Sequence, residues 1–506
     1  MSLALAHSRA RVGVHAPAVR VEVYLSGGLP ALNMVGLPEA AVRESRDRVR
    51  AAILCAQFEF PARRITVNLA PADLPKDGGR FDLPIALGIL AANGVIDPNA
   101  LSDIEFIGEL ALTGELRSVD GVLPAALAAA SEGRRLIVPL GNGAEAALAG
   151  NVRAFTARTL LEVVAHLNGE KTLPPAIADR RLATETTYPD LADVRGQGQA
   201  RRALEIAAAG NHHLIFIGPP GGGKTLLAAR LPGLLPPMDE AEAMEAALVA
   251  SACGQGVDPS QWRQRRFRAP HHTASAAALV GGGSRPRPGE ISLAHHGVLF
   301  LDELAEWSWR TLDGLREPLE SGVVTVSRAL RSEEFPARFQ LVAAMNPCPC
   351  GWAGDPSGRC RCPSEVVARY RARLSGPLLD RIDLHVAVPR LAAHEIRIDA
   401  PPGESTAVVR ARVLAARERQ QQRAGKTNAR LSQAEAGRDC ALESRDGNLL
   451  EQAMHSLQFS ARAAHRILRV ARTIADLEGC ERIATTHLRE AIGYRQLDRG
   501  VFRAAA

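Results

Sequence analysis

Lysine is almost missing from this chain: 57 of its 61 basic residues are arginine and only 4 are lysine. A lysine standing where phosphate chemistry needs one is therefore not a random basic residue. No apolar run approaches the length needed to span a membrane, so no transmembrane helix is expected. The first residues show no charged segment followed by an apolar one, so no secretory signal is expected. The 8 cysteines are not spaced like a disulfide framework, which points to a reducing cytoplasm. Internal repeats and low-complexity tracts are absent as well.

The 506 residues and 46% hydrophobic content are ample for buried cores, and the length alone fits roughly two to four domains. The net charge of +6 is uneven. Residues 1–180 carry 18 basic and 19 acidic side chains, whereas residues 181–506 carry 43 and 36. The basic surplus of the second part permits a polyanionic partner without demanding one.

Pattern divides the chain into an α+β unit (1–168), a linker (169–190), an α/β core (191–395) and a helical lid (396–506). In the first unit Val19, Val21, Val23 and Leu25 alternate with polar residues and predict a strand. A helix over 38–57 and a strand over Ile65–Leu69 follow. Pro401-Pro402-Gly403 marks a hinge within 396–404, and 405–506 reads as helix only.

The densest chemistry lies at 214–225. A buried strand, Leu214-Ile-Phe-Ile217, runs into Gly218-Pro219-Pro220-Gly221-Gly222-Gly223-Lys224-Thr225. Glycines let successive backbone N–H groups turn toward phosphate oxygens, and the helix that follows adds its positive end. Lys224 is placed to reach the β- and γ-phosphates of ATP, Thr225 to offer its hydroxyl to Mg²⁺, and Leu226 continues the helix beneath the nucleotide.

A second strand, Val298-Leu-Phe-Leu301, ends in Asp302-Glu303. Asp302 would hold Mg²⁺, and Glu303 would polarise the attacking water. A third strand from Gln340 ends at Asn346, whose amide could touch that water and the γ-phosphate; a plain strand terminator before Pro347 is the other reading. Arg381 lies in Ser375-Gly-Pro-Leu-Leu-Asp-Arg-Ile-Asp383, where a local ion pair with Asp380 or Asp383 is one reading. In the tail, Ser460 is placed to cap a helix whose apolar face includes Ile467 and Ile474. Arg462, Arg466 and Arg469 share its other face, with Arg466 and Arg469 read as solvated.

Directly after Asn346 come Cys348, Cys350, Cys360 and Cys362. Four thiolates across a short loop rich in Gly and Pro suit a structural, tetrahedral Zn²⁺, with reduced thiols or an iron–sulfur cluster as the other readings. His271-His272 and His295-His296 are read as polar or turn residues near the nucleotide, because neighbours on an extended backbone point to opposite sides.

Taken together, Asp193-Val-Arg-Gly-Gln197, the phosphate loop, Phe267-Arg-Ala-Pro-His-His-Thr273, Pro288–Glu303, Asn346-Pro-Cys-Pro-Cys-Gly351 and Ser375–Asp383 resemble the bacterial ComM/YifB family of magnesium-chelatase-like AAA+ ATPases. The resemblance spans essentially the whole chain. It implies a P-loop AAA+ core with a parallel sheet and a helical lid. Val194 and Gln197 would stand beside the bound nucleotide, Asn346 would act as sensor 1, Arg381 as arginine finger and Arg462 as sensor 2. It further implies a hexameric helicase of the cytoplasm that acts on single-stranded and branched DNA. Such a motor promotes branch migration during natural transformation, alongside recombination proteins. Arg285 and Arg287 in the loop 281–289, and Arg328 and Arg331 at the tip of a hairpin over 323–341, are the candidate DNA contacts, with exposed surface loops as the alternative.

The first unit resembles the Lon-type protease fold through Pro75-Lys-Asp-Gly78 and Leu112-Thr-Gly-Glu115. That chemistry needs a serine activated by a lysine. Here the matching positions hold Arg80 and, near the second, Leu123, so a scaffold or DNA-binding collar without proteolysis is expected. A chelatase-type ATPase that remodels a metal-inserting partner is the second functional reading, and an ATP-dependent protease the third.

Overall fold

The computed structural model describes residues 2–36, 39–76, 78–178, 188–283, 286–328, 331–391, 403–457 and 460–495. Most of the expected hinge at 396–404 and part of the expected linker at 169–190 fall outside the described residues.

The first body is a seven-stranded mixed sheet. Its order is Ala31–Val35, Arg64–Ala70, Ala18–Ser26, Ser2–Arg9, Ile104–Phe106, Arg135–Pro139 and Ala154–Ala157. Val19, Val21, Val23 and Leu25 all point inward, as their alternation predicts. The helices Glu39–Cys55 and Asp82–Ala92 cover that inner face and share its core. At Gly88 a Cβ would stand 2.6 Å from the Val23 side chain, so glycine permits the close helix–sheet approach. Ser2–Arg9 is a central strand although its inward residues, Ala4 and Ala6, are too small to advertise it.

The second body is a five-stranded, wholly parallel sheet in the order Phe267–Arg268, Val298–Leu301, Gln340–Met345, Leu214–Ile217 and Leu384–Ala387. Three of its strands, Leu214–Ile217, Val298–Leu301 and Gln340–Met345, are buried along their whole length, which is why they read as continuous apolar runs. The fold of this part is mixed α/β with a helical C-terminal region. The helices Thr406–Ala424, Ser444–Leu457, Ala461–Leu477 and Thr485–Gly493 close it, and Ser460 caps the third by accepting a hydrogen bond from the Ala463 N–H at 3.1 Å. One continuous core runs from Leu191 to Tyr494, so these helices pack on the sheet body through the Gly198–Gly210 helix.

The hairpin is shorter than the expected 323–341. Val323–Arg328 pairs antiparallel with Arg331–Pro336, and Gln340 already begins the next sheet strand. Arg328 and Arg331 face each other in register at its end. The loop over 281–289 is a small ribbon in which Gly281–Gly282 pairs with Arg287–Pro288; Arg285 lies outside the described residues.

The two bodies meet through helices. Val122, Leu123 and Ala126 share a core with Ala243, Ala247 and Trp262 of the second body. Ser251 adds a buried hydrogen bond from its hydroxyl to the Glu145 carboxylate. Among the described residues no helix is long and apolar enough to cross a membrane.

Candidate active site

Parallel sheets expose their ligand sites beyond the carboxyl ends of their strands. Three adjacent strands end together here, with Ile217 in register with Met345, and Leu301 with Ala343. Their next residues are Gly218, Asn346 and Asp302. The fold thereby gathers three sequence segments into one place.

The phosphate loop depends on its glycines at specific points. A Cβ on Gly218 would stand 2.0 Å from the Val388 carbonyl oxygen, and Gly221 and Gly223 sit at φ +78° and +87°. Lys224 Nζ donates to the carbonyls of Gly218 (2.7 Å) and Pro219 (2.9 Å) and to Asn346 Oδ1 (3.1 Å). Burial lowers the basicity of Lys224, against the opposing pull of Asp302 and Glu303. Those carbonyl bonds occupy the ammonium group that a phosphate would engage.

Thr225 Oγ1 donates to Asp302 Oδ2 at 2.8 Å. A hydroxyl and a carboxylate oxygen paired in this way fit the oxygen preference of Mg²⁺. Asp302 Oδ1 accepts from the Glu303 N–H at 2.8 Å, and Glu303 takes a left-handed backbone at φ +49°. The turn leaves the Glu303 carboxylate half exposed and 3.0 Å from His272 Nδ1. His272 was expected only as a polar neighbour; it is the direct partner of the candidate water-activating carboxylate. Nothing in the sequence marks this pair: it arises because the strand Phe267–Arg268 lies beside Val298–Leu301.

Val194, Gln197 and Leu226 line one cavity of about 170 Å³ with Gly222, Gly223 and Leu391. Gln197 Nε2 donates to the carbonyls of Gly222 (3.1 Å) and Pro389 (2.7 Å), tying the phosphate loop to the end of the last strand.

Arg381 does form a local ion pair, but not with the expected Asp380 or Asp383. Its Nη2 lies 2.5 Å from Glu320 Oε1 and its Nη1 donates to the Pro377 carbonyl at 2.6 Å. Asp383 instead binds Arg466 Nη1 at 2.7 Å and His212 Nδ1 at 3.3 Å. Arg466 is therefore no solvated residue: it bridges the C-terminal helix to the Arg381 segment, and also donates to the Arg381 carbonyl at 3.0 Å. Arg469 is likewise partly buried and donates to the Ala429 carbonyl. Arg462 is exposed on the first turn of the same helix.

The four cysteine sulfurs converge, all within 4.8 Å of one another. Cys348 Sγ stands 3.3 Å from Cys350 Sγ and 3.8 Å from Cys360 Sγ, and Cys350 to Cys360 is 3.7 Å. Tetrahedral zinc with Zn–S bonds of about 2.3 Å has sulfur–sulfur edges of about 3.8 Å, so the set fits zinc. The Ala353 N–H points at Cys348 Sγ (3.3 Å), the kind of donor that supports a thiolate ligand.

Both histidine pairs depart from the expected geometry, with ring centroids 4.2 Å apart at His271-His272 and 4.0 Å at His295-His296. His296 has φ +55°, so the rings of the second pair do not diverge. Both Nε2 atoms meet Glu245 Oε2, at 3.0 Å from His295 and 2.8 Å from His296. His295 Nδ1 accepts from the Arg338 N–H at 2.9 Å, which leaves its proton on Nε2 and directs it to Glu245. That tautomer makes the cluster a hydrogen-bonded one and a poor metal site.

In the first body Arg80 and Leu123 are both buried, and neither side chain carries a hydroxyl or an amine. Arg80 Nε and Nη2 have no hydrogen-bond partner there.

Comparison with known proteins spans nearly the whole chain. The family model described as magnesium chelatase, subunit ChlI, matches residues 190–396; those described as subunit ChlI of Mg-chelatase and as the subunit ChlI C-terminal part match 21–142 and 403–495. The competence protein ComM of Haemophilus influenzae is 53% identical over 511 residues, covering 99% of this chain and 98% of that protein. YifB of Escherichia coli (strain K12) is 51% identical, with 99% and 98% covered. Rv2897c of Mycobacterium tuberculosis is 44% identical, with 98% and 99% covered.

Proposed function

Because the chain belongs to the magnesium-chelatase-like AAA+ family, in the group that holds ComM and YifB, we propose that it is an ATP-driven hexameric DNA motor. Its work would be branch migration of recombining strands when incoming DNA is taken into the chromosome. The observation that carries ATP hydrolysis is the convergence of Lys224, Thr225, Asp302, Glu303 and Asn346 at the ends of three adjacent strands. The similarity to a competence protein along the whole chain supports DNA as the partner.

The residues divide the chemistry among them. Thr225 and Asp302 would hold Mg²⁺, which would offset negative charge on the nucleotide's phosphates. Binding of ATP draws Lys224 off the Gly218 and Pro219 carbonyls onto phosphate oxygens, while Asn346 keeps its contact with the ammonium group. Glu303 orients the attacking water and accepts its proton, with His272 fixing the direction of the carboxylate. Arg381 would leave Glu320 to stabilise charge on the neighbouring subunit's γ-phosphate. Arg462 is the candidate for sensing the nucleotide from the helical region.

The cysteines would hold a structural Zn²⁺, and Arg287, Arg328 and Arg331 would grip strand phosphates. The first body, Lon-like in pattern and without its nucleophile, would act as a scaffold or DNA-binding collar, and recombination proteins would be partners of the whole protein. The proposed domain division is 1–168, a linker over 169–190, an ATPase core over 191–395 and a helical lid over 396–506. ATP turnover measured with and without single-stranded and forked DNA tests the reading: DNA should stimulate hydrolysis. Turnover indifferent to DNA would instead favour a chelatase-type ATPase working on a protein.

A further inference from the structure

We propose that a zinc ion on Cys348, Cys350, Cys360 and Cys362 sets the geometry of the ATP site, so that nucleotide affinity depends on metal occupancy outside the nucleotide pocket. This rests on the reading of Gly218–Thr225 as the ATP site.

The cysteine loop has almost no core of its own. Between residues 349 and 363 there is no helix or strand, and only Gly351 is buried. A segment of that length whose one large apolar residue is the half-buried Trp352, covered by Arg359, gains a fixed shape from a cross-link. The converging sulfurs supply the ligands for one: all four lie within 4.8 Å of one another, and two of the separations, 3.7 and 3.8 Å, equal the edge of a tetrahedral ZnS₄ set.

Gly351 is buried because it lies on the phosphate loop. Its backbone is at φ +86°, and a Cβ there would stand 2.7 Å from Pro220 Cδ and 3.9 Å from Asn346 Cγ. The turn closed by Cys348 and Cys350 is thus the surface against which Pro220 rests. Asn346, two residues before Cys348, accepts the hydrogen bond from Lys224 Nζ. On the far side, Arg371 Nε donates to the Pro347 carbonyl at 3.2 Å, so the helix Ser364–Arg371 that follows Cys362 closes back on the same strand end. Fixing four sulfurs fixes Gly351, and Gly351 fixes Pro220 and Asn346 from one side. Loss of the metal releases that side.

The test uses the full-length protein, elemental analysis for zinc, and the affinity of a fluorescent ATP analogue, with circular dichroism as a check on folding. Wild type should carry about one zinc per chain. Cys350→Ser, or chelation, should remove the zinc and weaken the analogue by about tenfold or more. Gly351→Ala keeps all four thiols and should retain zinc, yet it pushes on Pro220 and should also weaken the analogue. A wild type without zinc would overturn the proposal. So would a folded, zinc-free protein with unchanged affinity. If the cysteine variant unfolds, Gly351→Ala decides: full zinc with unchanged affinity overturns the coupling. A wild type that carries zinc but binds no analogue would refute the ATP-site reading instead.

Discussion

Arg381 and Glu320 form an ion pair at 2.5 Å within one chain, with Arg381 nearly buried and Glu320 half exposed. The guanidinium is thereby turned back on its own subunit, while Glu320 stands just before the Val323–Arg328 strand of the basic hairpin. If Arg381 serves a neighbouring site, removing it and removing its partner have different consequences. Arg381→Ala should cut ATP turnover by about 10³-fold or more while analogue binding holds. Glu320→Ala should leave turnover within a few-fold. Equal losses in both variants would make the pair purely structural.

Glu303→Gln should retain ATP binding and lower the hydrolysis rate by about 10²- to 10⁴-fold, the range for a missing general base. Single-turnover hydrolysis of bound ATP reads the step directly. A rate near wild type would assign water activation to another group.

His272 touches Glu303 at 3.0 Å and nothing in that contact involves the phosphate loop. His272→Ala should therefore lower kcat and leave the KM for ATP nearly unchanged, because the carboxylate loses its orientation and not its charge. His272→Asn, which can still donate a hydrogen bond, should recover part of the loss. A change confined to KM would place the histidine on the nucleotide.

Stability should fall as the pH drops below neutrality. Burial, with His296 adding to it against Glu245, holds His295 down to about 4, and burial holds His385 well below its usual value. Both are neutral in the fold, whereas the unfolded chain takes up their protons near pH 6.5. The folded state therefore loses stability from about pH 6.5 downward, by as much as about 3 kcal/mol from His295 once the pH is below 4. Thermal unfolding between pH 7.5 and 5 checks this, and His295→Gln should flatten the slope. A slope unchanged by that substitution would show that other groups carry the effect.

The alternating valines of Ala18–Ser26 and the apolar runs around Leu214 and Val298 were legible because burial on one or both faces writes itself into residue type. Ser2–Arg9 was not, since its inward positions are alanine and serine. The phosphate loop announced itself through glycines whose positive φ or close approach admits nothing larger. Long-range partners left no such trace. That Arg381 meets Glu320, that Arg466 meets Asp383, and that His272 meets Glu303 depends on which strands and helices lie side by side. The expectation for His295 and His296 failed because it assumed an extended backbone, and His296 adopts a left-handed one.

The central claim is that ATP turnover at the Lys224 site drives movement on DNA. The most direct measurement follows a labelled strand in a forked or branched substrate incubated with the purified protein, with ATP, with a non-hydrolysable analogue, and with Glu303→Gln in place of wild type. Strand displacement or branch migration only with wild type and ATP is the predicted result. Robust, ATP-dependent hydrolysis with no strand movement on any of these substrates would contradict the account.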